Sequence, residues 1–240
     1  SPEVGLDGMV NSYNYVKDLI YSLRKLGGIT LRTNLDPLAQ IWENRPSLPA
    51  NPVEIQPLEY AGETLASKVA RIRKSLRELH ADGMLVSALD DIAWTLNLRG
   101  TDVHCNPVFV SYLLIESGKV SLFVDDNKLS PEVKQYLQDN QVSLYKYNKV
   151  EKCLESYSEY NILLDGDETS YYLWKAVKCQ EIVAAGSPIP AMKAVKNKAE
   201  IEGYHSAMLK DGVAMVKFLK WLKPAVEAGG QTEISIDEKL

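Results

Sequence analysis

Ile201, Tyr204, Met208, Gly212, Met215, Leu219 and Leu222 recur at steps of three and four, the spacing of one face of a long α-helix. Asn197 and Glu200 supply the capping-box pair that starts such a helix, and Lys223-Pro224 reads as its stop, since proline cannot continue the hydrogen-bond ladder. A stripe of that length must face a core. A further helix is expected from Thr232, with Glu233 in its first turn, and the sequence up to Leu240 offers the stripe no partner and no stop signal. The stripe therefore predicts a core whose other half lies outside these 240 residues.

The opening of the chain reads as a strand at Val4 to Leu6, a helix entered near Asn11 or Ser12, and a strand at Ile29 to Thr33. Val16, Leu19, Ile20, Leu23 and Leu26 form the helix's apolar stripe, and Gly27-Gly28 is its stop. One strand-helix-strand unit cannot bury both faces of its strands, so this unit also predicts missing neighbours. Pro46, Pro49, Pro52 and Pro57 then fix an extended backbone that reads as a linker.

Beyond it come a helix at Leu65 to His80, a strand at Met84 to Ser87 and a short helix begun at Asp90. Further strands are expected at Val108 to Ile115, Val120 to Val124, Val142 to Tyr147, Asn161 to Leu164 and Gln180 to Val183. Helices are expected near Pro131 to Asp139 and Ser170 to Ala176. Strands spaced by helices predict an α/β fold with a mixed β-sheet flanked by helices, and the Gly118-Lys119 turn makes part of that sheet antiparallel. The Gly186-Ser187-Pro188-Ile189-Pro190 segment closes this part. The resulting division is 1–45, a Pro-rich linker 46–57, a domain 58–190 and a segment 191–240.

Net charge is −5, so no electrostatic footprint for nucleic acid or an anionic membrane is expected. The local run Lys68, Arg71, Arg73, Lys74 and Arg77 interleaves with apolar residues at helical spacing and reads as a solvated face. Cys105, Cys153 and Cys179 are widely spaced and odd in number, so neither a disulfide framework nor a zinc ribbon is indicated, and a reducing, cytoplasmic compartment fits best. No apolar run approaches the roughly 20 residues of a membrane span.

Asp90-Asp91 could serve as paired carboxylates, but reads better as Asp90 capping the short helix with Asp91 complementing its dipole. Asp125-Asp126-Asn127 and Asp165-Gly166-Asp167-Glu168 lack the ligand alternation of a calcium loop and read as turns at strand ends. His104 and Cys105 are adjacent and so tend to point apart, while His80 and His205 sit on helices without a metal-binding spacing. No self-sufficient catalytic or metal site is legible. The most informative stretch is the loop after Trp94, where Gly100 permits an unusual backbone angle. Arg99 with Asp102 offers either a clamp for a substrate's polar end or an ion pair that stiffens the loop, which ends at Asn106-Pro107.

Leu89-Asp-Asp-Ile-Ala-Trp-Thr-Leu-Asn-Leu-Arg-Gly-Thr-Asp, then Asn106-Pro-Val-Phe-Val-Ser-Tyr-Leu-Leu-Ile, resembles the middle domain of the three-domain aminopeptidase P family, relatives of prolidase and creatinase. The resemblance extends to Asn34-Leu-Asp-Pro-Leu-Ala-Gln-Ile-Trp-Glu-Asn-Arg-Pro, to Ser187-Pro-Ile-Pro-Ala-Met-Lys-Ala-Val-Lys-Asn-Lys-Ala-Glu-Ile-Glu-Gly and to Thr232-Glu-Ile-Ser. It implies a creatinase N-terminal-domain-like fold and a parent enzyme that removes the first residue of peptides with proline second. That enzyme would use two divalent metal ions, usually manganese, held by two aspartates, a histidine and two glutamates in a pita-bread domain. The resemblance places all five ligands beyond Leu240, so this stretch alone is expected to be inactive. It also makes Arg99, Asp102 and Asn106 candidates for shaping substrate access, and a homodimer an expectation. The competing reading is a non-catalytic pseudo-peptidase scaffold or protein-binding module.

Overall fold

The computed structural model describes residues 2–240. The chain divides into two compact units, one holding residues up to Pro57 together with Glu63–Val195, the other Leu58–Gly62 with Lys196–Leu240.

In the first unit the elements run β1 (Glu3–Gly5), α1 (Tyr13–Lys25), β2 (Thr30–Arg32) and β3 (Glu54–Ile55) before the main sheet. Next come α3 (Leu65–Glu78), which follows α2 (Leu58–Ala61) of the second unit, then β4 (Gly83–Val86), α4 (Leu89–Leu96), β5 (Leu98–Arg99), β6 (Ser111–Glu116) and β7 (Val120–Val124). The remainder is α5 (Pro131–Asp139), β8 (Val142–Lys146), α6 (Val150–Glu155), β9 (Asn161–Leu164), α7 (Tyr171–Ala176), β10 (Glu181–Ala184) and α8 (Ile189–Ala194). Six strands form one sheet in the order β10-β9-β4-β6-β7-β8. β10, β9 and β4 run parallel, β6 is antiparallel to both β4 and β7, and β8 is parallel to β7. The expected mixed α/β sheet is thus present, with its antiparallel part at the Gly118-Lys119 turn.

Two apolar layers follow from the alternation of side chains along buried strands. Met84 and Val86 of β4, Leu113 and Ile115 of β6, and Leu122 and Val124 of β7 meet Val69, Ile72 and Leu76 of α3, Ile92 and Leu96 of α4, and Val133 and Leu137 of α5. The intervening Leu85, Leu114 and Phe123 face the other way and pack on Val150 and Leu154 of α6 and Leu173 and Trp174 of α7. Each such buried side chain contributes about 1.5–3 kcal/mol. Side-chain caps start the covering helices: Thr64 accepts from Ser67 N, Ser130 from Val133 N and Ser170 from Leu173 N.

Residues 2–45 belong to this unit. β1 and β2 pair in parallel, and Tyr13 of α1 stacks on Trp174 of α7 with ring centroids 3.9 Å apart. Of α1's apolar stripe only Val16 is buried. Gly27 and Gly28 take positive φ (115° and 74°) as the stop requires. β3, inside the proline-rich stretch, pairs with β5 in a separate two-stranded ribbon.

Several expectations are corrected. β6 starts at Ser111, not Val108, because the Val110 amide is taken by the Asp102 carboxylate at 2.7 Å. Ala88, not Asp90, is the N-cap of α4, with no side-chain cap bond, which leaves both aspartates in the first turn. Lys68 is not on a solvated face: it is 1% exposed, because it lies on the same side of α3 as Val69, Ile72 and Leu76.

The second unit contains α2, α9 (Lys198–Glu227) and α10 (Glu233–Lys239). The Asn197–Glu200 capping box is formed, and Asn197 Nδ2 also donates to Ala61 O at 2.8 Å. Gly62, at φ 68°, makes room for it: a Cβ there would lie 2.2 Å from Asn197 Oδ1. The helix does not stop at Pro224 but continues to Glu227, since proline removes a single amide donor while the following turn closes through Ala228 N to Pro224 O at 3.0 Å. No residue of α9 is buried; Ile201, Tyr204, Met208 and Leu219 are 46–57% exposed. α10 is capped by Thr232 as expected. No helix among the described residues is long and apolar enough to cross a membrane.

Burial pushes the Tyr112 and Tyr157 phenols far above their usual range, the first aided by its bond to Tyr147, and Tyr157 also donates to Asn161 O at 3.0 Å. In the unfolded chain they ionise near pH ~10, whereas folded they keep their protons, so stability falls as pH rises above that value. Denaturant titrations from neutral to strongly alkaline pH, read with tyrosinate absorbance, should show this decline, and Tyr157→Phe should flatten it.

Candidate functional site

The loop from Arg99 to Asn106 is launched by the C-terminus of α4. Asn97 ends that helix in the left-handed region (φ 52°), and its side chain is gripped from two sides. Lys68 Nζ donates to Asn97 Oδ1 at 2.7 Å and to Trp94 O at 2.8 Å, with the Trp94 ring 4.2 Å away, while Asn97 Nδ2 donates to Glu63 O at 2.9 Å. The lysine thus gives a second donor to the Trp94 carbonyl, which also accepts from Asn97 N at 3.3 Å, meets the Asn97 amide oxygen and sits where the helix dipole is negative. Each buried acceptor left without its donor would cost about 1–3 kcal/mol.

From Asn97 the chain enters β5, where Arg99 pairs with Glu54. Arg99 Nη1 donates to Ala93 O at 3.0 Å and Leu98 O at 2.8 Å, so the guanidinium folds back over the end of α4. Gly100 is needed for closeness and not for an unusual angle: its φ is outside the left-handed region, and a Cβ would lie 2.8 Å from Phe109 Cβ and 2.9 Å from Val108 O. Asp102 accepts from Val110 N and from Lys128 Nζ, and the two charged side chains are 0% and 2% exposed. Its Oδ1 has no hydrogen-bond partner among the described residues. Asn106 is exposed and closes the turn through its backbone, accepting from Val108 N at 2.8 Å and donating to Val103 O at 3.2 Å. Cys105, at φ 58°, is also exposed.

The three candidates are therefore held by different partners. Arg99 caps a helix end, Asp102 ties the loop to the core, and Asn106 offers its side chain to solvent. Lys128, 26 residues from Asp102, carried no signal in the sequence, because a lysine after an Asp-Asp-Asn turn reads as solvated. Its backbone binds the proline-rich stretch as well: Val53 N donates to Lys128 O at 2.9 Å, and Asn51 Nδ2 reaches Thr101 O at 2.8 Å.

Asp90 and Asp91 share one cation, Lys193 of α8, which reaches Asp91 Oδ1 at 2.8 Å and also bonds Asp90 Oδ2. Burial raises the Asp91 carboxyl against the pull of Lys193; for Asp90 burial also pushes upward, but the bond to Lys193, its charge and nearby backbone amides together outweigh it and lower the carboxyl. Burial alone would depress Lys193, but the bonds to both aspartates and their negative charges together raise it. This is a clamp between α4 and α8 and not a free carboxylate pair. Among the described residues no three His, Cys, Asp or Glu side chains are grouped so as to hold a metal ion. The two ions that the family resemblance implies do not fit these residues.

Asp102→Ala leaves the Lys128 ammonium buried without its partner and should destabilise the first unit by about 3–5 kcal/mol in denaturant melts. Adding Lys128→Met should restore much of that loss, because no lone buried charge then remains. Equal stability of the single and double variants would show that the pair does not set the loop.

Residues 44–200 match the Creatinase/Prolidase N-terminal domain family. Among curated relatives, the Xaa-Pro aminopeptidase ApepP of Drosophila melanogaster is 36% identical over 208 residues, covering 84% of this chain and 34% of that protein. A probable Xaa-Pro aminopeptidase P of Leptosphaeria maculans is 35% identical over 231 residues, covering 92% and 38%. The chain thus spans well under half the length of the relatives it matches. Among solved structures, X-prolyl aminopeptidase from Caenorhabditis elegans, described as a cytosolic enzyme with a di-nuclear active site, aligns with a TM-score of 0.88 at 28% identity, covering 99% of this chain and 40% of that one. The Xaa-Pro dipeptidase of Bacillus anthracis shares the fold, with a TM-score of 0.56 at 16% identity over 73% of this chain. This six-stranded mixed sheet, its helical layers and the sequence that encodes them belong to the creatinase/prolidase N-terminal domain family.

Proposed function

We propose that the chain is the non-catalytic N-terminal part of a metal-dependent Xaa-Pro aminopeptidase, a cytoplasmic enzyme that releases the first residue of peptides carrying proline second. The observation that carries this reading is the alignment of 99% of the chain with only 40% of a di-nuclear X-prolyl aminopeptidase. The two divalent ions, with manganese as the working metal, are assigned to protein outside these residues, and this part is inactive alone. In this assignment residues 1–45 end a first domain, 46–57 link it to a second at 58–190, and 191–240 begin the catalytic domain, where the exposed stripe of α9 finds its core. The assembled enzyme is proposed to be a homodimer.

The chemistry left to this chain is positioning. Arg99 and Asn106 border the route by which a peptide reaches the metal centre, and Asp102 fixes the shape of that border from below. Arg99 is tethered by backbone carbonyls, so its cation is oriented with little side-chain freedom left to lose when substrate arrives.

Release of the N-terminal residue from an Xaa-Pro peptide in the presence of manganese is the direct assay. The 240-residue chain should be inert and the longer protein containing it active. Arg99→Ala in that longer protein should lower kcat/KM by roughly tenfold when assayed well below its melting temperature, which the loss of the two helix-end bonds lowers slightly. Activity of the 240-residue chain itself, or none from the longer protein, overturns the reading, and the latter result points to a non-catalytic scaffold.

A further inference from the structure

α1 and α7 lie side by side, joined by the Tyr13–Trp174 stack and by hydrogen bonds from Tyr13 N to Thr169 O at 2.9 Å and from Tyr171 N to Asn11 O at 2.9 Å. Along their shared edge runs a groove of about 300 Å³. Tyr13, Tyr21 and Tyr171 give it aromatic walls, Ile20 adds an aliphatic patch, and Lys17, Arg24 and Lys175 supply its charge; no acidic residue lines it.

All three cations are exposed, and among the described residues none has a hydrogen-bond or ion-pair partner. That sets them apart from Arg45, Arg71, Lys128, Lys134 and Lys193, each of which is matched to a carboxylate. In a chain of net charge −5, three unmatched cations around one aromatic groove make a local field opposite in sign to that of the whole molecule. Lys25, 4.4 Å from the Tyr21 ring centroid, adds a fourth positive charge beside it.

The arrangement selects the form of the anion. Lys17 and Arg24 stand two helical turns apart, about 10 Å along α1, so the charge is spread along the groove and does not converge on one point. The amides beneath are used up in the helix, whereas a phosphate site needs free amides or a helix N-terminus aimed at it. An extended peptide sets alternate side chains on one face about 7 Å apart, which suits charges distributed in this way, and an apolar side chain between its acids can lie on the tyrosine rings.

We propose that this groove docks an acidic, extended segment of a partner protein, with carboxylates paired to Lys17, Arg24 and Lys175 and an intervening apolar side chain on Tyr21 and Tyr171. The site is separate from the Arg99–Asn106 loop, and it rests on the proposed reading in one respect: the first domain to which residues 1–45 are assigned must leave the Lys17–Arg24 edge of α1 open.

The test is fluorescence polarisation of the 240-residue chain with a labelled peptide of alternating glutamate and leucine, its glutamine counterpart serving as control. The glutamate peptide should bind about tenfold more tightly than the glutamine one, and its affinity should fall several-fold between about 50 mM and about 300 mM salt. K17E/R24E/K175E should abolish binding, and Tyr21→Ala should weaken it several-fold without changing the salt dependence. All these side chains are exposed or partly exposed, and equal melting temperatures will show that each variant is folded. No binding of the glutamate peptide at low salt, or binding indifferent to the triple reversal, overturns the proposal. So does ATP or inorganic phosphate binding here when the peptide does not, or self-association of the chain that the triple reversal removes.

Discussion

The ammonium of Lys68 lies inside the protein, at the C-terminus of α4, bonded to Trp94 O and Asn97 Oδ1 and facing the Trp94 ring. A buried cation is tolerable only if its donors are met, and here a helix end offers a backbone carbonyl, the amide oxygen of its capping residue, the negative pole of a dipole and an aromatic face together. The consequence extends beyond the contact. Asn97 can hold its left-handed turn because its side chain is fixed on both sides, and that turn sends the chain from α4 into β5. β5 then engages β3, and the loop carrying Arg99 emerges at a defined place. The α3–α4 layer and the candidate site therefore share one anchor.

Two more lysines repeat the device. Lys128 binds Asp102 beneath the loop, and Lys193 binds both acidic residues at the start of α4. Each joins segments far apart in sequence, by 26 residues in the first case and by 102–103 in the second. The sheet supplies most of the burial energy, while these charged contacts specify how the loops sit upon it. Only matched geometry keeps such pairs from being a net cost, since desolvation of each charge is large. The same accounting sets off the groove between α1 and α7, where cations remain unmatched at the surface.

The main sheet was legible because its strands announce themselves. β7 and β9 were delimited from composition alone, and α5 was expected over Pro131 to Asp139, where it lies. The capping box at Asn197 was equally plain, since it involves residues three apart, and the helix start at Thr232 was read as well. The misreadings have a common origin. Val108 and Phe109 have strand composition, yet the Val110 amide serves Asp102 and not a neighbouring strand. Lys68 looks solvated in sequence, since a charge flanked by helical spacing normally is. Pro224 looks like a stop, yet one missing donor does not end a helix whose next turn can close. Arg99 and Asp102 were singled out from the residues around Gly100, the resemblance gave them and Asn106 a role in substrate access, and their separate roles emerged only from their partners.

What the sequence determined by itself was most of what near neighbours and periodicity govern: the Asn197 cap, the Gly27-Gly28 stop, the Gly118-Lys119 turn and the order of strands and helices. These depend on residues within one or two turns of each other, so their physics is written locally. Tertiary structure alone decided which charges are buried, which carboxylate meets which lysine, and why Gly100 must be glycine. Those outcomes depend on distances between residues tens of positions apart, and such distances exist only once the sheet and its two helical layers have closed.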